Sequence, residues 1–201
     1  MATTRMRASA AEARLHWTVA AAVLVLVLTG AVMYVPMLSE VVQRRFWIRT
    51  AHLLAAAVTA LAPLVMAFSQ PTRAAALERE LSRWDATDLA WFARPFRVLL
   101  RRSSLDAGHL SSDRRFNGGQ RLFAALVAVA LAALLVSGVP MYWWSWFSAA
   151  LVERSRDLHV VAAFVLVGLL PGHVYLALIS PYGLIQNRLD SRRWKAAHRG
   201  R

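Results

Sequence analysis

Four stretches of this chain contain no Asp, Glu, Lys or Arg: residues 15–39, 50–72, 122–152 and 158–187. Each exceeds the roughly 20 residues an α-helix needs to cross a ~30 Å hydrocarbon core. In lipid a spanning backbone must satisfy its own hydrogen bonds, so segments of this kind fold as helices. The sequence therefore predicts an all-α integral membrane four-helix bundle, with spans at about 16–36, 51–70, 120–142 and 157–180. The composition agrees, with 58% hydrophobic residues and no acidic residue in the interior of any span. Basic residues precede the first span as they would a signal peptide. Its apolar run is longer than a usual h-region, and no small-x-small site closes it before Val35-Pro36, so it is read as a retained helix.

Charge sets the expected orientation. The formal net charge is +13, and all but one of the 24 basic residues are Arg. Three lie before span 1, ten between Arg73 and Arg121, and six in the tail from Arg188 to Arg201. Only Arg44, Arg45, Arg49, Arg154 and Arg156 fall in the other two connections. This bias predicts that both termini and the long 2–3 connection are cytoplasmic. A nucleic-acid-binding role is excluded as the reason for the charge, because such a domain would not give half its length to charge-free runs. Phe46-Trp47, Tyr142-Trp143-Trp144 and Trp146-Phe147 fall at the expected outer interface, and Trp91-Phe92 and Trp194 on the inner side.

The 71–119 connection is too long for a turn. "LERELSRWDATDLAWFARPFRVLLRR" has helical spacing, and Asp85-Ala86-Thr87-Asp88 offers a helix start. Leu89, Phe92, Phe96, Leu99 and Leu100 would form one face of an amphipathic helix on the inner membrane surface, with Pro95 as a break. "SSLDAGHLSSD" reads as a turn. No internal repeat stands out, although each half is a helix pair.

Ionisable groups inside a membrane are costly and mark functional sites. Four of the six histidines lie in or at the ends of spans: His16, His52, His159 and His173. With no cysteine, the chain cannot hold an iron–sulfur cluster or a thiolate metal site, which leaves imidazole as the plausible metal ligand. His159 and His173 are fourteen residues apart, about 40° short of four full turns and roughly 21 Å along the helix axis. They therefore project from nearly one face at two depths. The expected partner at the outer level is His52 and at the inner level His16. Ala51, Ala55, Ala56, Ala162, Ala163, Gly168 and Gly172 leave room beside them for a flat, bulky group. Two bis-histidine haems b stacked across the bilayer fit this arrangement. His109 and His198 lie in the loop and tail and are given no ligand role.

With these residues in view, the chain resembles the cytochrome b (gamma) subunit of formate dehydrogenase, within the group that includes the cytochrome b of nickel–iron hydrogenases. The likeness rests on "RLHWTVAAAVLVLVLTGAVMYVP", "RTAHLLAAAV", "FNGGQRLF" with "LLVSG" after it, "LHVVAAFVLVGLLPGHVYLAL" and "SRRWKAAH". The resemblance implies that His52 and His159 hold an outer haem b, and His16 and His173 an inner one. It also implies a quinone site (menaquinone or ubiquinone) at Asn117, Gly119 and Gln120, with His173 adjacent. The implied partners are an iron–sulfur (beta) subunit and a molybdenum or tungsten catalytic (alpha) subunit, in the bacterial inner membrane. The chain departs from the commoner Asn-Ala-Gly-Gln-Lys form at Gly118 and Arg121, and Pro171 stands close to His173. "DATDLAWFARPFRVLL" resembles the middle-loop helix of the formate dehydrogenase form. The expected activity is thus quinone reduction within a formate dehydrogenase complex, formate itself being oxidised on another subunit. Arg14, Arg114, Arg115 and Arg121 are candidates to neutralise haem propionates or anionic lipid. The alternative is a cytochrome b for hydrogenase, thiosulfate reductase or another periplasmic oxidoreductase. A cofactor-free anchor or transporter is more remote, because neither a paired repeat nor a buried acidic site is evident.

Overall fold

The structure, a computed structural model, describes residues 9–42, 45–86, 88, 116 and 118–179. Their elements are α1 (Ala10–Tyr34), α2 (Pro36–Val41), α3 (Arg45–Ser69), α4 (Pro71–Ser82), α5 (Gly118–Tyr142), a 3-10 turn (Trp144–Trp146) and α6 (Ala149–Ile179). No strand occurs among the described residues, so the all-α expectation holds. α1, α3, α5 and the Ala149–Val174 portion of α6 are each long and apolar enough to cross a membrane.

The helices outrun the expected spans at their starts, and the caps explain why. Ser9 Oγ accepts from Glu12 N at 3.3 Å while Ser9 N donates to Glu12 Oε2 at 2.7 Å. That reciprocal capping box starts α1 six residues before position 16. Ser148 caps α6 from one side only: its hydroxyl accepts from Leu151 N at 3.3 Å and its carbonyl from Val152 N at 3.1 Å. Glu153, Arg154 and Arg156, expected in a connection, are therefore helical. α1 stops at Tyr34 because Val35 precedes a proline and is held extended (φ −90°, ψ 113°), while Pro36 opens α2. α6 runs on through Pro171. Proline has no N–H, so the carbonyl four residues back loses its helical donor there.

Packing is reversed relative to a water-soluble protein. Leu24, Leu28, Val65, Phe68, Val129, Val136, Val161 and Phe164 are exposed, whereas Ala22, Thr29, Ala55, Thr59, Ala130, Ser137 and Ala162 are buried. Lipid tails are as apolar as leucine, so helices gain little by hiding large apolar side chains. Small residues face inward because they let backbones approach.

The chain divides into two compact units. The first comprises Ser9–Ala74 with Ala130–Val167, and the second contains Ala75–Val129 and the chain from Gly168 onward. In the first, α1 packs along α3. In the second, Asp85 N donates to Asp88 Oδ2 (3.1 Å) and Asp88 N donates to Asp85 Oδ1 (3.3 Å), which is the expected helix start. α4 ends at Ser82 and Arg83–Asp85 are not helical, so the helical stretch is broken before this start. The rest of the expected amphipathic helix, Leu89 through Leu100, lies outside the described residues, as do both termini, His109 and His198.

Candidate functional site

The first unit brings together one of the two expected histidine pairs. His52, on α3, and His159, on α6, have ring centres 6.3 Å apart with their planes inclined at 52°. A metal midway between two imidazole nitrogens, at roughly 2 Å from each, places the ring centres about 6–6.5 Å apart. The observed separation therefore suits a single ion ligated from both sides. No group of three or more His, Cys, Asp or Glu that could hold a metal occurs among the described residues. Two imidazoles alone cannot complete a metal shell. A macrocycle that brings its own four equatorial nitrogens, such as haem b, matches the donor set.

Each imidazole is backed by a hydroxyl from the preceding long helix. Thr29 Oγ1 on α1 lies 2.8 Å from His52 Nδ1, and Ser137 Oγ on α5 lies 3.0 Å from His159 Nδ1. Each hydroxyl also donates one turn back within its own helix, Thr29 to the Val25 carbonyl and Ser137 to the Ala133 carbonyl, both at 2.6 Å. The next residue in each case is glycine. A Cβ at Gly30 would stand 3.7 Å from His52 Cε1, and one at Gly138 would stand 3.7 Å from His159 Cε1. A methyl group would just touch the ring, and anything larger would displace it. Ala55 and Ala162, expected to leave room beside the histidines, are both buried.

Thr29, Gly30, Ser137 and Gly138 are additions to the expected site. Their signal is present in the sequence as a short internal repeat, Thr-Gly-Ala-Val-Met-Tyr at 29–34 and Ser-Gly-Val-Pro-Met-Tyr at 137–142. A histidine follows the hydroxyl residue by 23 and 22 positions respectively. The expectation of no internal repeat is thus corrected. The two motif tyrosines extend the correspondence. Tyr34 meets Phe164 of α6 edge-on (5.6 Å), and Tyr142 lies under the Arg49 guanidinium of α3 (5.4 Å). Each tyrosine reaches into the other helix pair.

His16 is half-buried on α1 in the first unit, edge-on to Trp17 at 5.4 Å. His173 belongs to the second unit, where Phe123 of α5 stacks on it (4.8 Å, 20°). A Cβ at Gly168 or Gly172 would meet nothing within 4 Å, so the space expected there is open. Gly119 is buried and Gln120 half-buried in the first turn of α5, while Asn117 lies outside the described residues. Gly118 is pressed against the Asp88 backbone, since a Cβ there would be 2.8 Å from the Asp88 carbonyl oxygen.

Of the arginines proposed for propionates, Arg121 has another task. Its side chain is 4% exposed, and its Nη1 pairs with Asp88 Oδ2 at 2.7 Å and donates to the Arg83 carbonyl. It ties the start of α5 to the Asp85–Asp88 capping box. Arg14 is exposed, and Arg114 and Arg115 lie outside the described residues.

No curated protein matches the chain. The family model for prokaryotic cytochrome b561 matches residues 7–188, nearly the whole length and all four long helices. Four helices able to span a membrane, and two imidazoles with ring centres 6.3 Å apart between them, agree with that match: this chain belongs to the prokaryotic cytochrome b561 family, and is a multi-pass membrane protein of haem b electron transfer.

Proposed function

We propose that this chain is the dihaem b subunit of a formate dehydrogenase complex, carrying electrons from a periplasmic iron–sulfur subunit to quinone at the cytoplasmic side. The observation that carries the haem assignment is the His52–His159 pair, with ring centres 6.3 Å apart and a hydroxyl behind each ring. These two residues hold the outer haem b, and His16 and His173 the inner one. Haem b supplies one-electron chemistry when bound; the protein contributes ligation, spacing and electrostatics. The fourteen-residue step on α6 sets the two levels roughly 21 Å apart along the helix. Quinone binds beside His173, against Asn117, Gly119 and Gln120. Glycine at 119 lets a backbone N–H approach a quinone carbonyl closely.

The arginine bias supports a topology in the bacterial inner membrane with both termini and the 2–3 connection cytoplasmic. The formate dehydrogenase assignment is supported by "DATDLAWFARPFRVLL", whose opening Asp85–Asp88 box is formed as a middle-loop helix requires. Within the complex this chain is the quinone-reducing subunit, and formate is oxidised on a partner carrying molybdenum or tungsten. The test is purification from the native membrane, with a haem count and reduced-minus-oxidised spectra after adding formate or hydrogen. Two low-spin b haems reduced by formate support the reading. Reduction by hydrogen alone would transfer the chain to a hydrogenase, and the absence of haem would refute the whole assignment.

A further inference from the structure

The hydroxyls of Thr29 and Ser137 each contact two backbone carbonyls, the nearer at 2.6 Å and the other at 3.3 Å, and one imidazole nitrogen, and a hydroxyl has a single proton. A carbonyl oxygen can only accept, so the 2.6 Å contacts to Val25 and Ala133 consume that proton. Each hydroxyl oxygen is then an acceptor toward its histidine, 2.8 Å from His52 Nδ1 and 3.0 Å from His159 Nδ1. The proton in those contacts belongs to the ring: both imidazoles are Nδ1–H tautomers, and the lone pair sits on Nε2. The opposite assignment would leave two unprotonated oxygens facing each other at 2.6 Å in both helices.

We infer that Thr29 and Ser137 are a matched pair of positioning residues that hold His52 and His159 with Nε2 free for iron and tune the potential of the haem bound there. The inference rests on the reading of those two histidines as ligands and goes beyond it, since it names what orients them. Three features converge on it. The hydroxyl-to-carbonyl distance is the same in the two helices, the glycine after each hydroxyl leaves the same 3.7 Å gap to the ring, and both belong to one repeated hexapeptide. A ligand imidazole that donates its other N–H is a better electron donor to the metal. The two hydroxyls therefore favour the oxidised iron, one from each side.

The test is redox potentiometry of the purified holoprotein with Thr29→Val and Ser137→Ala, each close in shape to the native side chain. Both variants should keep two haems, and each should raise the midpoint potential of the same haem, with a larger shift in the double variant. Thr29→Ser and Ser137→Thr, which restore a hydroxyl, should keep the native midpoint. Nitrogen-15 histidine spectra of the protein should show Nδ1 protonated at positions 52 and 159, and this signature should weaken in the valine and alanine variants. Unchanged midpoints in Thr29→Val and Ser137→Ala with both haems bound would overturn the inference. Equal shifts in Thr29→Val and Thr29→Ser would overturn it as well, because the hydroxyl would then be irrelevant. If His52→Ala and His159→Ala each leave two haems in place, the ligand reading fails, and that outcome is distinct from the previous two.

Discussion

Asp88→Ala should cost about 3–5 kcal/mol locally, and restoring most of that loss should require removing the arginine it faces. Arg121 and Asp88 are each 4% exposed and their charged atoms lie 2.7 Å apart. Removing the carboxylate alone leaves a guanidinium buried without a counter-charge, which is the expensive case among buried ion pairs. The same carboxylate accepts from Asp85 N, so its loss also removes half of a capping box, at about 1 kcal/mol. Asp88→Ala with Arg121→Leu removes both charges and retains only the smaller terms, roughly 2 kcal/mol for the cap and the hydrogen bond to the Arg83 carbonyl. The two changes should therefore be strongly non-additive, with the double variant more stable than Asp88→Ala. Amide hydrogen exchange in detergent, followed on a peptide covering the first two turns of α5, reads this local free energy directly. If Asp88→Ala exchanges at a rate within about 1 kcal/mol of the native one, or the double variant is no better than the single one, the pair is not the clamp described.

Gly118→Ala should be destabilising by about 1–3 kcal/mol in the same assay, because its Cβ would sit 2.8 Å from the backbone carbonyl of Asp88, which has no flexible end to move. Gly30→Val and Gly138→Val should each lower haem occupancy to one per chain in a pyridine haemochrome assay, whereas the alanine variants, at 3.7 Å from the ring, should keep both. Single alanine replacements of His52 and His159 should abolish the same haem, those of His16 and His173 the other, and His109→Ala neither, as resolved by low-temperature difference spectra. Reporter fusions at the two ends of the chain should both register as cytoplasmic if the arginine bias sets the topology.

The membrane helices are legible in the sequence because a chain that folds in water rarely runs for more than about twenty residues without a charge. Their starts are less so: Ser9–Glu12 and Ser148 cap helices that begin before the apolar run, and a search for charge-free segments passes over them. The four span histidines stand out because imidazole in an apolar helix is rare. Thr29 and Ser137 do not, since a hydroxyl inside a helix is commonly absorbed by its own carbonyl one turn back. Here it is absorbed and still has lone pairs to offer, which only the approach of the second helix reveals. The hexapeptide repeat is faint because only the hydroxyl, glycine, methionine and tyrosine positions correspond, while the intervening residues are interchangeable apolar ones. Arg121 is hidden for the opposite reason: among so many arginines, nothing in the sequence marks the one that Asp88 buries.

Each histidine of the pair takes its hydroxyl contact from the long helix synthesised before its own, His52 from α1 and His159 from α5. Each helix pair can therefore enter the bilayer as a hairpin with its imidazole already turned, before the other pair exists. The nascent chain would present two prepared half-sites in succession, and assembly would wait on the prosthetic group only to join them. A ribosome paused between α3 and α5 should then carry a first hairpin whose histidine is ordered and whose site is open on one side.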